Sequence, residues 1–183
     1  MPTYVSLLRG INISGQKSMR MAELRELYKS LGFANIQSYL QSGNVLFQSD
    51  QEDGAELGRD IEAAIAERFG FEVSVLIRTP AEFEQVVENN PFLTTRNEDP
   101  TRLYVTFLAE TPTESALAQA NLPDHKPDEF VVAGQEIYIF CPNGYGRTKL
   151  SNTFFERKLK IRATTRNWKT VTALHDLATS TPS

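Results

Sequence analysis

A rhythm of strand, helix, hairpin, helix and strand runs through this chain twice, and few folds accommodate it. Residues 3–9 are an apolar strand stopped by Gly10, and Met21, Leu24, Leu27, Tyr28 and Leu31 follow with helical spacing. Leu31-Gly32-Phe33 has the form of a C-terminal cap, with glycine in the left-handed conformation and the next apolar residue folding back. Residues 35–40 and 44–48 read as two strands turned at Ser42-Gly43. A second helix runs through Leu57, Ile61, Ala64, Ile65 and Phe69, closes at Gly70-Phe71, and leads to a strand over Glu72–Ile77.

The pattern then recurs. Thr79-Pro80-Ala81-Glu82 is a capping box, so a linker helix is expected through Phe83, Val86 and Val87 until Asn89-Asn90-Pro91 stops it. Leu103–Leu108 is a strand, and Thr111-Pro112-Thr113-Glu114 predicts a second capped helix reaching about Asn121. Phe130–Val132 and Ile137–Phe140 flank a turn at Ala133-Gly134-Gln135. Phe154, Phe155 and Leu159 mark a helix, Ile161–Thr165 a strand, and Trp168, Val171, Leu174, Leu177 and Ala178 a closing helix. The expected class is α+β: two tandem ferredoxin-like (βαββαβ) subdomains, over 1–79 and 101–183, joined by a linker helix and loop over 80–100 and ending in a C-terminal helix. One continuous mixed sheet is the alternative.

Charge is distributed unevenly. The chain has a net charge of −4, yet residues 141–171 hold eight lysines and arginines against one acid, Glu156, for +7. The remainder holds 11 against 22, for −11. Such a segment steers an anionic partner to one place, or is a solvated face folded against the acidic body. No apolar stretch approaches the roughly 20 residues of a membrane span, so no membrane partner is expected. The start Met1-Pro2-Thr3-Tyr4-Val5 carries no basic leader, and a single cysteine, Cys141, forms no intrachain disulfide. The expected location is the cytoplasm.

Three polar motifs stand at element ends: Leu8-Arg9-Gly10-Ile11-Asn12, Gln41-Ser42-Gly43-Asn44 and Thr164-Thr165-Arg166-Asn167-Trp168. A sheet of order 4-1-3-2 brings Arg9 to the end where Asn44 starts its strand. The same geometry brings Gly144-Tyr145-Gly146-Arg147-Thr148-Lys149 to Arg166 and Asn167. Candidate ligand-binding residues are therefore Arg9, Asn12, Ser42, Asn44, Arg147, Lys149, Arg166 and Asn167. Asn167 doubles as an N-cap, and a helix start beside Arg166 suits an anion. The same residues also serve as caps, turn formers and salt-bridge partners.

Other chemistry is poorly served. Gly144–Lys149 lacks the spacing of a phosphate-binding P-loop. Cys141 has no adjacent base, since the only histidines are His125 and His175. Asp124-His125 with Asp128 lies between prolines and has no second cluster to complete a metal site. Trp168 and Phe154-Phe155 read as core. Phe47, Tyr104, Tyr4 and Tyr138 lie on strands without an RNA-binding signature, so nucleic acid ranks below a small anionic molecule as partner. No cofactor or metal is expected, and neither a catalytic residue nor an oligomeric state follows. The readings left open are an anion-binding module, an enzyme that stabilises charge without a covalent nucleophile, and a nucleic-acid-binding, structural or oligomeric protein.

Five ordered motifs, Leu7–Asn12, Met21–Arg25, Leu31–Phe33, Tyr39–Val45 and Thr164–Trp168, together resemble the bacterial domain-of-unknown-function family numbered 1697. The resemblance extends from Tyr4 to about Leu177. It implies an α+β fold of two ferredoxin-like subdomains and no defined activity. The chain departs from that family's pattern after Asn12, where Ile13–Arg20 keep one of two usual glycines.

Overall fold

The computed structural model describes residues 1–180. Its first half contains β1 (Thr3–Leu8), α1 (Met21–Ser30), β2 (Ala34–Tyr39), β3 (Asn44–Gln48), α2 (Gly54–Phe69) and β4 (Val75–Arg78). The strands form one antiparallel sheet in the order β2-β3-β1-β4. Every residue of β1 and β3 is buried, the polar Thr3, Ser6, Asn44 and Gln48 included, as central strands covered on both faces require. Leu24, Leu27 and Tyr28 of α1 pack with Ile61 and Ile65 of α2 onto Tyr4, Leu8, Val45 and Phe47. Tyr28 keeps its hydroxyl satisfied inside this core through Ser6 Oγ at 2.7 Å, and burial pushes its pKa far above the usual range.

The helix ends follow their sequence signals. Gly32 (φ 87°) turns the chain after α1, and Gly70 (φ 78°) caps α2 in the left-handed region. Asp53 opens α2 by accepting from the N–H groups of Ala55 and Glu56. Thr79 and Glu82 form the expected capping box at α3 (Pro80–Glu88): Thr79 N–H donates to Glu82 Oε2 and Glu82 N–H to Thr79 Oγ1. Asn90 stops α3 and also caps one further turn, α4 (Pro91–Thr94).

The second half contains β5 (Leu103–Leu108), α5 (Glu114–Ala120), β6 (Glu129–Ala133), β7 (Glu136–Phe140), α6 (Asn152–Leu159), β8 (Ala163–Asn167) and α7 (Trp168–Ser180). Its antiparallel sheet has the order β6-β7-β5-β8, the same arrangement as the first. Leu108, Ile137, Ile139 and Ala163 pack beneath Phe154, Phe155 and Leu159 of α6. β4 begins at Val75, three residues later than the expected Glu72, and two boundaries in this half also differ from expectation. The cap of α5 is Thr113, which accepts from Ala116 N–H, so Thr111 lies outside the helix. The last strand spans Ala163–Asn167 instead of 161–165, because Lys160 takes a left-handed turn (φ 57°) and Leu108 pairs with Ala163.

The architecture is thus mixed α+β, with two four-stranded antiparallel sheets and seven α-helices among the described residues. Compact packing groups Met1–Glu84 with Ala173–Ser180, and Gln85–Thr172 as a second unit. The division falls within α3 and α7. Both helices are continuous, and the two ends of each belong to different units. No helix among the described residues is long and apolar enough to cross a membrane.

Candidate functional site

In the first unit the polar motifs converge on one sheet end and are consumed there. Asn44 pairs opposite Leu7, Leu8 N–H donates to Gly43 O, and Arg9 N–H donates to Ser74 O. Arg9 and Asn44 therefore stand at the same end of the sheet. Asn44 is fully buried, and its Nδ2 donates to Tyr39 O (2.8 Å) and Ser42 Oγ (3.0 Å), closing the hairpin. Asn12, at φ 55°, donates from Nδ2 to Gln41 O and accepts from Met19 N–H at Oδ1. These amides fasten the chain's own backbone.

In the second unit the expected residues separate. Arg147 is exposed on a short turn, Tyr145–Arg147, after β7, at the sheet end where Asn167 pairs opposite Tyr104. Thr165 points toward α6: its Oγ1 donates to Asn152 Oδ1 and bonds Thr106 Oγ1. Strand alternation puts Arg166 on the opposite face. It is only 7% exposed, and its Nη1 donates to Thr164 Oγ1 (2.7 Å) and Thr165 O (3.0 Å). Burial pulls its pKa down to about 10. Asn167 caps α7, with Oδ1 accepting from Thr170 N–H at 2.9 Å. Arg166 is not among the residues that line the cavity at Lys149.

Lys149 instead joins other basic groups. It lines a cavity of about 300 Å³ with His125, Ser151, Thr153, Phe154 and Arg157. The turn after β7 supplies Lys149, the cap and first turn of α6 supply Ser151, Thr153 and Phe154, its last turn supplies Arg157, and the α5–β6 loop supplies His125. The His125 ring stands edge-on to Phe154 at 5.4 Å, and its buried Nε2 has no hydrogen-bond partner among the described residues. No carboxylate lines the cavity. The nearest acids along the chain are engaged: Asp124 Oδ2 lies 3.9 Å from Lys126 Nζ, Asp128 Oδ2 accepts from Thr148, and Glu156 Oε2 accepts from Ala163 N–H.

The start of α6 adds a positive dipole end. Two of its N–H groups are already used, since Asn152 donates to Tyr145 Oη and Phe154 to Ser151 Oγ. The field at the cavity thus comes from the dipole and the side-chain cations. Sequence reasoning found Lys149 but set His125 aside and counted Arg157 only as charge. The signal for the remainder was Ser151-Asn152-Thr153 ahead of Phe154, an N-cap pattern beside the most basic stretch.

A second cavity, of about 530 Å³, lies at the start of α7 and is lined by Pro100, Thr101, Tyr104, Asn167, Trp168, Lys169 and Thr172. Burial pushes the Cys141 thiol up to about 11, so it stays protonated at neutral pH. No cluster of three or more His, Cys, Asp or Glu among the described residues is placed to hold a metal.

A chain with two such α+β units and two cavities in the second has a defined kinship. It belongs to the family described as a protein of unknown function, DUF1697, whose model matches residues 1–138. That match ends within β7, before Lys149 and Arg157. The chain is also similar to a solved structure, the conserved bacterial protein SP0830 from Streptococcus pneumoniae, at 25% identity and a TM-score of 0.73. The similarity covers 97% of this chain and 98% of that one. No curated protein matches the chain.

Proposed function

We propose that the protein is a binding module for a small anionic, phosphate-bearing ligand, held at the start of α6. The observation that carries this reading is the cavity where Lys149, Arg157 and the buried, unpartnered Nε2 of His125 converge without a lining carboxylate. Two cationic side chains and a helix dipole favour a tetrahedral oxyanion, and Ser151 and Thr153 supply hydroxyls to orient it. Its volume, about 300 Å³, suits a phosphate or a small phosphomonoester. Each unit is read as ferredoxin-like, supported by strand orders in which the first and third strands are central and by helices after those two strands. A cytoplasmic setting accords with the single, buried cysteine.

Asn12, Asn44 and Arg166 favour a second, structural reading for their own motifs, because each donates to nearby backbone carbonyls. The anion reading is tested by calorimetric titration of the full chain with inorganic phosphate and glycerol phosphate. Lys149→Ala and Arg157→Ala should each weaken binding by about tenfold, the weight of one charge-assisted hydrogen bond. Both residues are exposed, so melting temperatures should hold. Absence of binding by the intact protein at millimolar phosphate would refute it.

A further inference from the structure

The cavity at the start of α7 has a chemistry of its own, independent of the anion reading at α6. All its lining residues belong to the second unit. Its volume of about 530 Å³ lies in the range of about 300–1,000 Å³ usual for small-ligand sites. Two aromatic rings form part of its wall. Tyr104 is held by Tyr145, ring centroids 4.7 Å apart and tilted by 32°, and Tyr145 is itself anchored where its Oη accepts from Asn152 N–H. Trp168 is fixed by burial, at 6% exposure. Rings set in place before binding lose little entropy when a flat ligand stacks on them.

The two threonine hydroxyls in the lining are polarised in one sense. Thr101 Oγ1 donates its hydrogen to Asp99 Oδ1 at 2.8 Å, and Thr172 Oγ1 donates to Lys169 O at 3.1 Å. With their hydrogens committed, both present only lone pairs to a ligand, so they select N–H donors. Asp99 strengthens this bias: hydrogen bonds from Thr101 hold its carboxyl below its ordinary pKa, keeping it anionic behind the Thr101 hydroxyl. The opposite preference stands at the start of α7, where the ammonium of Lys169 and the amide of Asn167 suit an anionic group.

We propose that this cavity binds an amino-substituted heteroaromatic ring carrying a phosphate, that is, a mononucleotide whose base bears an amino group. The ring stacks on Tyr104 beside the small exposed edge of Trp168, its amino group donates to Thr101, and the phosphate meets Lys169.

Trp168 is the only tryptophan of the chain, so its fluorescence reports on this cavity alone. The full protein is titrated with adenosine monophosphate, with adenosine, inorganic phosphate and purine riboside monophosphate in parallel. The last is the same nucleotide without the amino group. Adenosine monophosphate should quench Trp168 saturably, and each of the other three should bind about tenfold more weakly. Lys169→Ala, at an exposed position, should weaken the nucleotide about tenfold. Thr101→Val should abolish the preference for the amino-bearing ring. Lys149→Ala should leave this titration unchanged, which separates the site from the one at α6. The proposal is overturned by any of three results: no saturable quenching at millimolar nucleotide, equal quenching by inorganic phosphate, or Lys169→Ala and Thr101→Val both matching the parent curve.

Discussion

Asn12 Nδ2 donates a 2.8 Å hydrogen bond to the carbonyl of Gln41, joining two loops twenty-nine residues apart in the chain. The same side chain accepts from Met19 N–H at 2.7 Å, and its backbone sits at φ 55°, where asparagine is tolerated better than most residues. Asn12→Ala should therefore cost about 1–3 kcal/mol, combining two lost hydrogen bonds with left-handed strain. Asn12→Asp keeps the acceptor for Met19 and loses the donor to Gln41, so it should fall between. Urea denaturation of the three proteins measures the order.

Gly43 admits no side chain. At φ +88° an added Cβ would lie 2.8 Å from Leu8 Cβ and from Ile11 Cδ1, while Leu8 N–H holds the Gly43 carbonyl at 2.9 Å. Gly43→Ala should destabilise by about 2–4 kcal/mol, through strain and overpacking together. Gly15→Ala is the control, since it shares a positive φ but meets nothing within 4 Å. Its loss should be the smaller of the two in the same denaturation experiment.

Much of this was legible beforehand, for reasons that particular residues make plain. Leu24, Leu27 and Tyr28, or Ile61 and Ile65, can face one core only from a helix, and glycines at 32 and 70 announce where those helices end. Boundaries failed where two signals overlapped. Thr111 and Thr113 both resemble caps, and only the Ala116 bond tells them apart. The site was harder to read because it is assembled from a turn, a helix and a distant loop. Lys149, Arg157 and His125 share no spacing that a sequence displays. Arg166 shows what face assignment adds: once Thr165 is known to meet Asn152, strand alternation turns Arg166 away from α6.

Arg166 should accordingly behave as a structural residue. Arg166→Ala removes the Thr164 and Thr165 bonds and empties a buried volume, at about 2–4 kcal/mol. Arg166→Met fills that volume without a charge whose burial is costly, and should recover most of the loss. Thermal melts check both, and phosphate titrations of Arg166→Met should match the parent protein. A large drop in phosphate affinity with an intact melt would return Arg166 to the binding site.

Arg96 and Glu129 give the fold an acid-sensitive tie. Arg96 Nη1 and Nη2 donate to both Glu129 oxygens at 2.8 Å, Nη2 also reaches Glu98, and the guanidinium lies 5.5 Å from the rings of Phe92 and Phe140. Hydrogen bonds from Arg96 are the chief reason that the Glu129 carboxyl titrates below its ordinary value. The unfolded chain holds that proton more tightly, so the pair's contribution is present above the ordinary carboxylate pKa. It is lost as pH falls through the lowered one. Arg96→Ala should lower the urea midpoint at neutral pH and shrink its further fall on acidification, by a modest amount for so exposed a pair. An unchanged acid response would remove Glu129 from the account.

The anion site at α6 is tested most directly by diffraction from crystals of the full chain soaked in tungstate, a heavy tetrahedral oxyanion. The account predicts an anomalous peak within hydrogen-bonding reach of Lys149 and Arg157, beside His125, and its disappearance in Lys149→Ala crystals soaked in the same way. Parent crystals with no peak in that cavity, whatever binds elsewhere, would contradict it.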